Sequence, residues 1–231
     1  MSRTLSIRKY TFEFLCIFIA VISAFALNNW NDNRRDRYSE DKILREIKNG
    51  LQLDLQDISV NKSGHQMGIR SCTFYRALIK NGAVAQDSLP IFSIILTRDF
   101  TSIMNQTGYE SLKSKGLEIV TNDSVRIQII TLYDYYYQII RKLEESVPEM
   151  QSFQTYFMAI NEALAPYMEF NERGVLKRIQ TPLRLAAAER KQLLSFLWRI
   201  ESNRLFKLNR YNLIEQKIEK LIGAIDRELA E

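Results

Sequence analysis

"FEFLCIFIAVISAFALNNWNDNRRDR", residues 12–37, decides the architecture of the chain. The stretch starts with fifteen almost continuously apolar residues, interrupted by Glu13, and then changes to Asn, Trp and Arg. About 20 helical residues are needed to cross the hydrocarbon core of a bilayer, which is roughly 30 Å thick. Residues 11–30 supply that length and place Trp30 at the depth of the lipid headgroups. We therefore predict a membrane-spanning helix over residues 11–30.

A secretory signal sequence is the alternative interpretation of the same stretch. A short basic tail at residues 1–10 precedes the apolar run, and Ala-Phe-Ala at residues 24–26 has the small-x-small form of a cleavage site. The interfacial Trp30 and the dense charge that resumes at residues 32–37 favour a retained span. We predict retention, with cleavage before Leu27 as the open alternative.

Orientation depends on the basic residues that flank the span. Three Lys or Arg residues precede it and five follow within about twenty residues, so the positive-inside rule is ambiguous. The short N-terminal tail resembles the start of an export signal, which favours a cytoplasmic N-terminus. We predict a single-pass protein of the bacterial inner membrane whose C-terminal domain lies in the periplasm.

Composition predicts an all-α chain. Among 231 residues, 46% are hydrophobic and only 8 are Gly and 4 are Pro, which disfavours a β protein with many turns. The length suits one principal domain beyond the span. Cys16 lies in the apolar run and Cys72 lies far along the chain, so no disulfide framework is expected.

The net charge of +5 is concentrated near the N-terminus. Residues 1–37 carry six basic and three acidic residues, so +3 of the total belongs to them. In the rest of the chain, basic and acidic residues alternate, which is typical of solvated helix faces and not of a phosphate-binding stripe. We expect no nucleic-acid partner.

Hydrophobic periodicity predicts a helix over residues 31–60 that is both a stalk and the first helix of an antiparallel bundle. Ser39 is a candidate N-cap, and apolar residues then recur at three- and four-residue steps. Two glycines within residues 61–68 predict a bend. The remaining bundle domain occupies residues 61–231, with helices expected at 69–79, 109–115, 150–164 and from 186 onward, and a loop or cap at 165–182. Residues 89–96 are expected to form a buried helix, with a strand as the alternative. Gly116 is expected to end the helix at 109–115, and Asn122 or Asp123 to cap a long helix that extends to residue 145.

Near the C-terminus, apolar residues follow the four- and three-residue spacing of a coiled-coil seam. Two interpretations are open, because the seam either packs against the stalk helix or joins two copies of the chain. The residues of the seam are Ile214, Ile218, Leu221, Ile225 and Leu229.

Two blocks of the sequence resemble an uncharacterised family of single-span proteins of Bacteroidota. The first block carries Glu13, then Asn-Asn-Trp-Asn at 28–31, followed by two arginines. The second, "TGYESLKSKGLEIVTNDSVRIQIITLYDYYY" at 107–137, has an aromatic-x-x-Leu-Lys-x-x-Gly signature and a helix that ends in tyrosines. The resemblance implies a retained N-terminal span and a helical extramembrane domain, and it carries no activity. The matching membrane or assembly residues are Glu13, Asn28, Asn29, Trp30, Arg34 and Arg35.

Glu13 is the one charged residue inside the apolar run, and it has two interpretations. The carboxylate either snorkels to the interface, takes up a proton or pairs with Arg8 or Lys9, or it faces the interior of an assembly of several spans. The second case predicts an assembly determinant or a proton or cation site.

Motifs for catalysis, metal binding or phosphate binding are not recognisable in the sequence. The lone His65 is expected at the surface or facing another helix, without a metal or catalytic role. We therefore predict no enzyme activity, no cofactor and no small-molecule substrate. The predicted partners are the lipid bilayer and either another envelope protein or the protein itself. A membrane-anchored helical interaction or scaffold protein is the leading function, and a subunit of a small ion-conducting or proton-coupled oligomer that uses Glu13 is the alternative.

Overall fold

The structure is a computed structural model that describes residues 3–230, with the side chains of residues 10–230. Within this part of the chain the fold is all-α, as predicted, with one small β-hairpin. The elements are α1 (Arg3–Ile79), α2 (Leu89–Thr97), α3 (Thr107–Lys115), α4 (Asp123–Thr131), α5 (Tyr137–Glu145), α6 (Ser152–Leu164), β1 (Met168–Phe170), β2 (Leu176–Ile179) and α7 (Ala187–Glu228).

A single unbroken helix, α1, contains the apolar run, the stalk and the first helix of the bundle. Its 77 residues correspond to about 115 Å at ~1.5 Å per residue. The helix predicted over residues 31–60 is part of α1, but Ser39 is not an N-cap, because helical hydrogen bonding already continues through that position. The tail predicted at residues 1–10 is helical from Arg3 onward.

The two glycines at which a bend is predicted, within residues 61–68, do not interrupt the helix. Gly64 and Gly68 lie inside the unbroken helix, where other parts of the chain approach its backbone closely. A Cβ at Gly64 would lie 2.4 Å from the Phe100 ring, and one at Gly68 would lie 2.3 Å from the guanidinium carbon of Arg204. The two glycines therefore allow close packing against α1, and the helical hydrogen bonding continues through them.

Helix α7 lies antiparallel to α1, as the predicted antiparallel bundle requires. Lys48 pairs with Asp226 at 2.5 Å, Lys62 pairs with Glu215 at 2.5 Å, and Arg76 pairs with Glu201. Residue numbers rise along α1 while those of the partners fall along α7. The two helices thus run side by side along the whole length of the bundle.

The seam residues of α7 pack inside their own chain. Ile214, Ile218, Leu221 and Ile225 are at most 2% exposed, and Leu229 packs at the edge of the same cluster. Their neighbours in this cluster include apolar side chains of α1, α3 and α4. This burial corresponds to the first interpretation of the seam, packing against the stalk helix. In this conformation the four buried side chains are not available to a second copy of the chain.

Two hydrophobic clusters make up the interior of the bundle. The lower cluster, nearer the apolar run, extends from Ile43 to Ile58 on α1 and from Tyr211 to Ile225 on α7. The upper cluster extends from Cys72 to Ile79 on α1 and from Leu193 to Ile200 on α7. Between them lies a layer of buried polar residues, here called the polar layer: Asn61, His65, Glu144, Asn203, Arg204 and Lys207.

The connecting helices agree with the predicted positions. Helix α3 ends before Gly116, whose φ of 100° favours glycine, and the Asn122 side chain caps α4 by accepting hydrogen bonds from the N–H groups of Ser124 and Val125 at 3.0 and 3.3 Å. The long helix predicted at 122–145 contains a π-helical turn at Leu132–Tyr136. This turn separates α4 from α5.

Residues 165–182, predicted as a loop or cap, contain the hairpin. Strands β1 and β2 pair antiparallel across a turn where Gly174 has a φ of 72° and the Asn171 side chain accepts two backbone N–H bonds. The hairpin packs near the end of α1, because the Gln86 side chain bonds to both the N–H and the carbonyl of Ile179. Strands of three and four residues are too short to show a clear alternation in sequence.

Candidate functional site

The apolar run forms an uncovered stretch of α1. Every described side chain from residue 10 to residue 30 is exposed, and Phe12 and Phe25 each expose 67% of their surface. The most apolar window has a mean hydropathy of 2.1, and none of it is buried inside the chain. By length and composition, the helix is able to cross a membrane. An exposed apolar surface of this extent indicates contact with lipid or with another protein.

The predicted membrane and assembly residues after the run are all exposed on the same helix. Asn28 donates a hydrogen bond to Asp32 at 3.0 Å, and Arg35 lies 3.4 Å from the other oxygen of Asp32. The Arg34 guanidinium lies 6.0 Å from the centre of the Trp30 ring, within cation–π range. An exposed aromatic ring beside an arginine and amides is the combination that suits a lipid headgroup layer. Asn29 is exposed among them.

Glu13 lies near the other end of the exposed apolar stretch. Seventeen residues separate it from Trp30, or about 26 Å along the helix axis. In a bilayer it would therefore lie close to the opposite boundary of the hydrocarbon core, which is roughly 30 Å thick. The predicted pairing with Arg8 or Lys9 lies outside the described side chains.

A cleft of about 510 Å³ lies just beyond Trp30, between α1 and the connection from α3 to α4. Glu40 of α1 holds the α3–α4 connection in place, because its carboxylate accepts hydrogen bonds from the N–H and hydroxyl of Thr121 at 2.7 and 3.1 Å. Acidic and basic side chains alternate around the opening. The lining residues are Asn33, Asp36, Arg37, Glu40, Lys115, Glu118, Ile119 and Thr121.

Arg204 is the central cation of the polar layer and is 2% exposed. One of its nitrogens donates to the carbonyl oxygens of Ile95, Leu96 and Arg98 at 2.9, 3.0 and 3.0 Å. These carbonyls belong to the C-terminal end of α2, where a cation is favoured by the helix dipole and by otherwise unpaired carbonyls. Arg204 therefore caps α2 from inside the bundle.

His65 contacts Arg204 and is 1% exposed, so its predicted position at the surface is wrong and the helix-facing alternative holds. Burial and the nearby charges of Arg204 and Lys207 lower the pKa of His65 to about 3. The ring is therefore neutral near pH 7, and its Nδ1 lies 3.3 Å from the Arg204 guanidinium, which has only donors to offer. This geometry assigns the ring proton to Nε2.

Glu144 and Lys207 complete the polar layer with opposite charges. Glu144 accepts hydrogen bonds from the Tyr211 hydroxyl and from the backbone N–H of Ser102, the latter at 3.0 Å. Lys207 donates to the carbonyl of Met150 at 3.0 Å. Burial raises the pKa of Glu144 and lowers that of Lys207, and their mutual attraction opposes both shifts.

The segment at residues 98–106, which has no regular secondary structure, is held by two carboxylates of α1, the buried Asp54 and the half-buried Asp57. Asp54 accepts from the N–H of Asn105 at 2.7 Å and from the Tyr137 hydroxyl at 2.6 Å. Asp57 accepts from the N–H of Ile103 at 3.1 Å. These side chains take the place of the backbone partners that a helix or sheet would provide.

Asp54 predicts a pH dependence of stability. Burial raises the pKa of its carboxyl to about 6, above the 3.8 of an unperturbed aspartate. Between these values the folded chain retains a proton that the unfolded chain releases, so the free energy of unfolding falls as pH rises through this window. The D54N variant removes the titrating carboxyl and keeps an oxygen that accepts from the N–H of Asn105. Its amide N–H group donates to the Tyr137 oxygen, which reverses the direction of the hydrogen bond that Tyr137 donates in the wild type. We expect the wild type to lose up to about 2 kcal/mol more than D54N between pH 4 and pH 7.

Urea midpoints measured for both proteins in detergent at pH 4, 5, 6 and 7 test this expectation. D123N is the matched control, because Asp123 is an exposed residue of the first turn of α4. Parallel pH profiles of the wild type and D54N would show that Asp54 does not titrate in this window.

Most buried donors and acceptors of this interior are paired with each other, but the Nε2 of His65 and the Nε of Arg204 are buried without a hydrogen-bond partner. In the part of the chain that the structure describes, no three His, Cys, Asp or Glu side chains are grouped to hold a metal ion. The polar layer was missed by sequence reasoning, because its members read as ordinary surface charges. Comparisons with protein-family models, with curated proteins and with solved structures give no match for this chain.

Proposed function

We propose that this protein is a membrane-anchored helical interaction or scaffold protein of the bacterial envelope. Residues 11–30 hold it in the lipid, and the bundle is presented on the rigid continuation of the same helix. The observation that carries the proposal is the fully exposed apolar stretch joined without a break to a folded bundle. Insertion of such a stretch into a bilayer removes its apolar side chains from water. Each Å² of apolar surface that is buried in this way stabilises the inserted state by roughly 25 cal/mol.

The surface of the bundle supports binding to another protein. Several large apolar side chains are exposed there, including Trp198 at 58%, Leu205 at 50% and Phe153 at 52%. Phe153 also stacks on Phe157 with ring centres 4.7 Å apart. Exposed aromatic groups of this kind are enriched at protein interfaces. The proposal also includes a location in the bacterial envelope, with the bundle on the periplasmic side of the membrane and without enzymatic activity. It further includes membership of the Bacteroidota-type family that the sequence resembles.

Membrane extraction tests the anchor. Membranes from cells that express the full chain are washed with alkaline carbonate and with high salt, and a variant lacking residues 11–30 serves as the control. We expect the full chain to stay in the pellet and the shortened chain to leave it. The intact mass of the pelleted protein then reports whether the N-terminal segment is retained. Mature protein that starts near Leu27 and is soluble after a salt wash would overturn the proposal.

Sidedness is tested on the same membranes. A single cysteine is placed at Ser195, which is exposed on α7, in a C16A background, and whole cells are treated with a maleimide that does not cross the inner membrane. We expect labelling once the outer membrane is permeabilised, because the proposal places the bundle in the periplasm. Labelling only after the inner membrane is disrupted would reverse the orientation.

A second candidate function rests on Glu13, a carboxylate on the exposed surface of an otherwise apolar helix. Several copies could bring this group into the interior of a proton- or cation-conducting assembly. Ion flux into liposomes that contain the wild type or E13Q tests this candidate. Flux that is lost in E13Q at equal insertion supports conduction, and equal or absent flux in both proteins rejects it.

A further inference from the structure

The exposed face of α1 within the bundle is free of charge over a long distance. All exposed residues of α1 from position 49 to position 66 are uncharged, although 26% of the whole chain is charged. Six of them are amides or hydroxyls: Asn49, Gln52, Gln56, Ser59, Ser63 and Gln66. The other two, Leu53 and Val60, are apolar and are 55% and 69% exposed. We call these eight residues the neutral face.

The charged residues of this part of α1 are used elsewhere. Lys48 and Lys62 pair with acidic residues of α7, and Asp54 and Asp57 bond to the segment at 98–106. These four charged side chains are buried or half-buried, and the exposed positions between them are those of the neutral face. Its polar residues recur at steps of three and four, which keeps them on one side of the helix over about 26 Å.

Helix α7 extends the uncharged surface sideways. The Lys62–Glu215 pair places this part of α7 beside the neutral face. The exposed residues of α7 from position 205 to position 216 are uncharged: Leu205, Phe206, Asn209, Asn212 and Gln216. The charges that remain in this area are half-buried, namely Arg210, whose guanidinium lies 5.0 Å from the centre of the Phe206 ring, and the Lys62–Glu215 pair between the two helices. Two adjacent helices, each about 10 Å wide, give a surface of roughly 500 Å².

We propose that the neutral face and the adjoining part of α7 bind a second copy of this chain, in parallel and in register. This inference rests on the proposed membrane anchor and names the partner. In a two-fold symmetric dimer the same patch meets itself, so each charge on it would face a like charge near the axis. A patch whose exposed residues are all uncharged, and in which Lys62 and Glu215 neutralise each other within one chain, keeps that repulsion small. Amide and hydroxyl groups suit such a contact, because each offers both a donor and an acceptor to an identical group.

The anchor determines the orientation and supplies the affinity that the patch lacks. Spans inserted in one membrane point the same way, so the α1 helices of two copies present equal residues at equal height. A patch of roughly 500 Å² is smaller than the ~800 Å² per partner of a stable interface. Confinement of both copies to one membrane raises their effective concentration and compensates for the small area.

Crosslinking in membranes tests the dimer. Single cysteines replace Ser59, Ser63 or, as the control, Ser195, all of which are exposed helical serines; Ser195 lies on α7 outside the patch. The background is C16A, and Cys72 is retained because it is fully buried and burial raises its pKa to about 12. With a short bis-maleimide we expect S59C and S63C to give on the order of tenfold more dimer than S195C.

Charge substitutions test the symmetry of the contact. We expect the S63C/S59K double variant to lose the crosslink, because two lysines then meet in the dimer. The S63C/S59E double variant should lose it as well, because two glutamates then meet. Co-expression of the two double variants should restore a crosslink between one S59K chain and one S59E chain. Equal crosslinking at all three serine positions, or no crosslinking in membranes that contain the protein, would overturn the inference and leave the anchor intact. Protein found in the soluble fraction would instead overturn the anchor.

Discussion

The R204M variant is expected to lower the free energy of unfolding by about 3–5 kcal/mol, because it removes a buried charge that several other buried groups depend on. Methionine retains much of the aliphatic volume but donates nothing to the carbonyls of Ile95, Leu96 and Arg98. Each carbonyl left unpaired in the interior costs about 1–3 kcal/mol, less whatever water recovers. The carboxylate of Asp99 also loses the attraction of a nearby cation. Chemical denaturation in detergent, followed by circular dichroism, measures the change.

R199M is the matched control for this prediction. Arg199 lies on the same helix but is exposed, with its guanidinium 4.9 Å from the centre of the Trp198 ring. We expect R199M to change the stability by less than about 0.5 kcal/mol. If R204M were as stable as R199M, the three carbonyl contacts would not contribute to the fold, and the capping of α2 from inside the bundle would be rejected.

The G108A variant is expected to destabilise the bundle by about 2–3 kcal/mol through overpacking. A Cβ at Gly108 would lie 2.7 Å from the backbone nitrogen of Ile47 and 2.9 Å from its Cα. These atoms belong to the backbone of α1 and cannot turn aside as a side chain can. Helix α3 would have to move away from α1, and its neighbour Tyr109, which stacks on Tyr133 at 4.5 Å, would move with it.

The G223A variant, at another helical glycine, is expected to stabilise the bundle. The nearest atom to a Cβ at Gly223 is a guanidinium nitrogen of Arg227 at 3.9 Å, so the added methyl group meets no obstacle. Alanine has the higher helix propensity, and we expect a gain of up to about 1 kcal/mol. Thermal unfolding of G108A, G223A and the wild type in one detergent measures both changes in stability. A stability of G108A equal to or above that of the wild type would show that α3 does not depend on this close approach.

The helical architecture was predictable because its signals are local. The spacing of apolar residues shows in a window of a few turns, which is how the seam of α7 and the positions of α2, α3 and α6 were located. The cap at Asn122 and the stop at Gly116 are likewise features of neighbouring residues. The apolar run is recognisable from composition alone.

The polar layer was not predictable, because its bonds join residues far apart in the chain. The hydrogen bond between His65 and Arg204 spans 139 positions, and that from Arg204 to the carbonyl of Ile95 spans 109. In a helical pattern His65 and Arg204 each read as an ordinary polar position. The close packing at Gly64 and Gly68 was missed for the same reason, because the groups that approach them come from residues 100 and 204.

The neutral face could not be recognised from the sequence alone. Charged residues are interspersed with it along the chain, and only the assignment of Lys48, Asp54 and Lys62 to other contacts shows that one side of α1 has none. The hairpin at 168–179 was missed because its strands are short and one of them carries a register irregularity between Glu169 and Phe170.

The unbroken course of α1 sets the reach of the molecule. Forty-nine residues separate Trp30 from Ile79, so the far end of the helix stands about 74 Å from the interfacial ring when upright, and about 69 Å at a tilt of 20°. The hairpin lies at that far end. A binding partner for its outer edge must therefore project a comparable height from the same bilayer, diffuse freely, or belong to a structure on the opposite side of the intervening space.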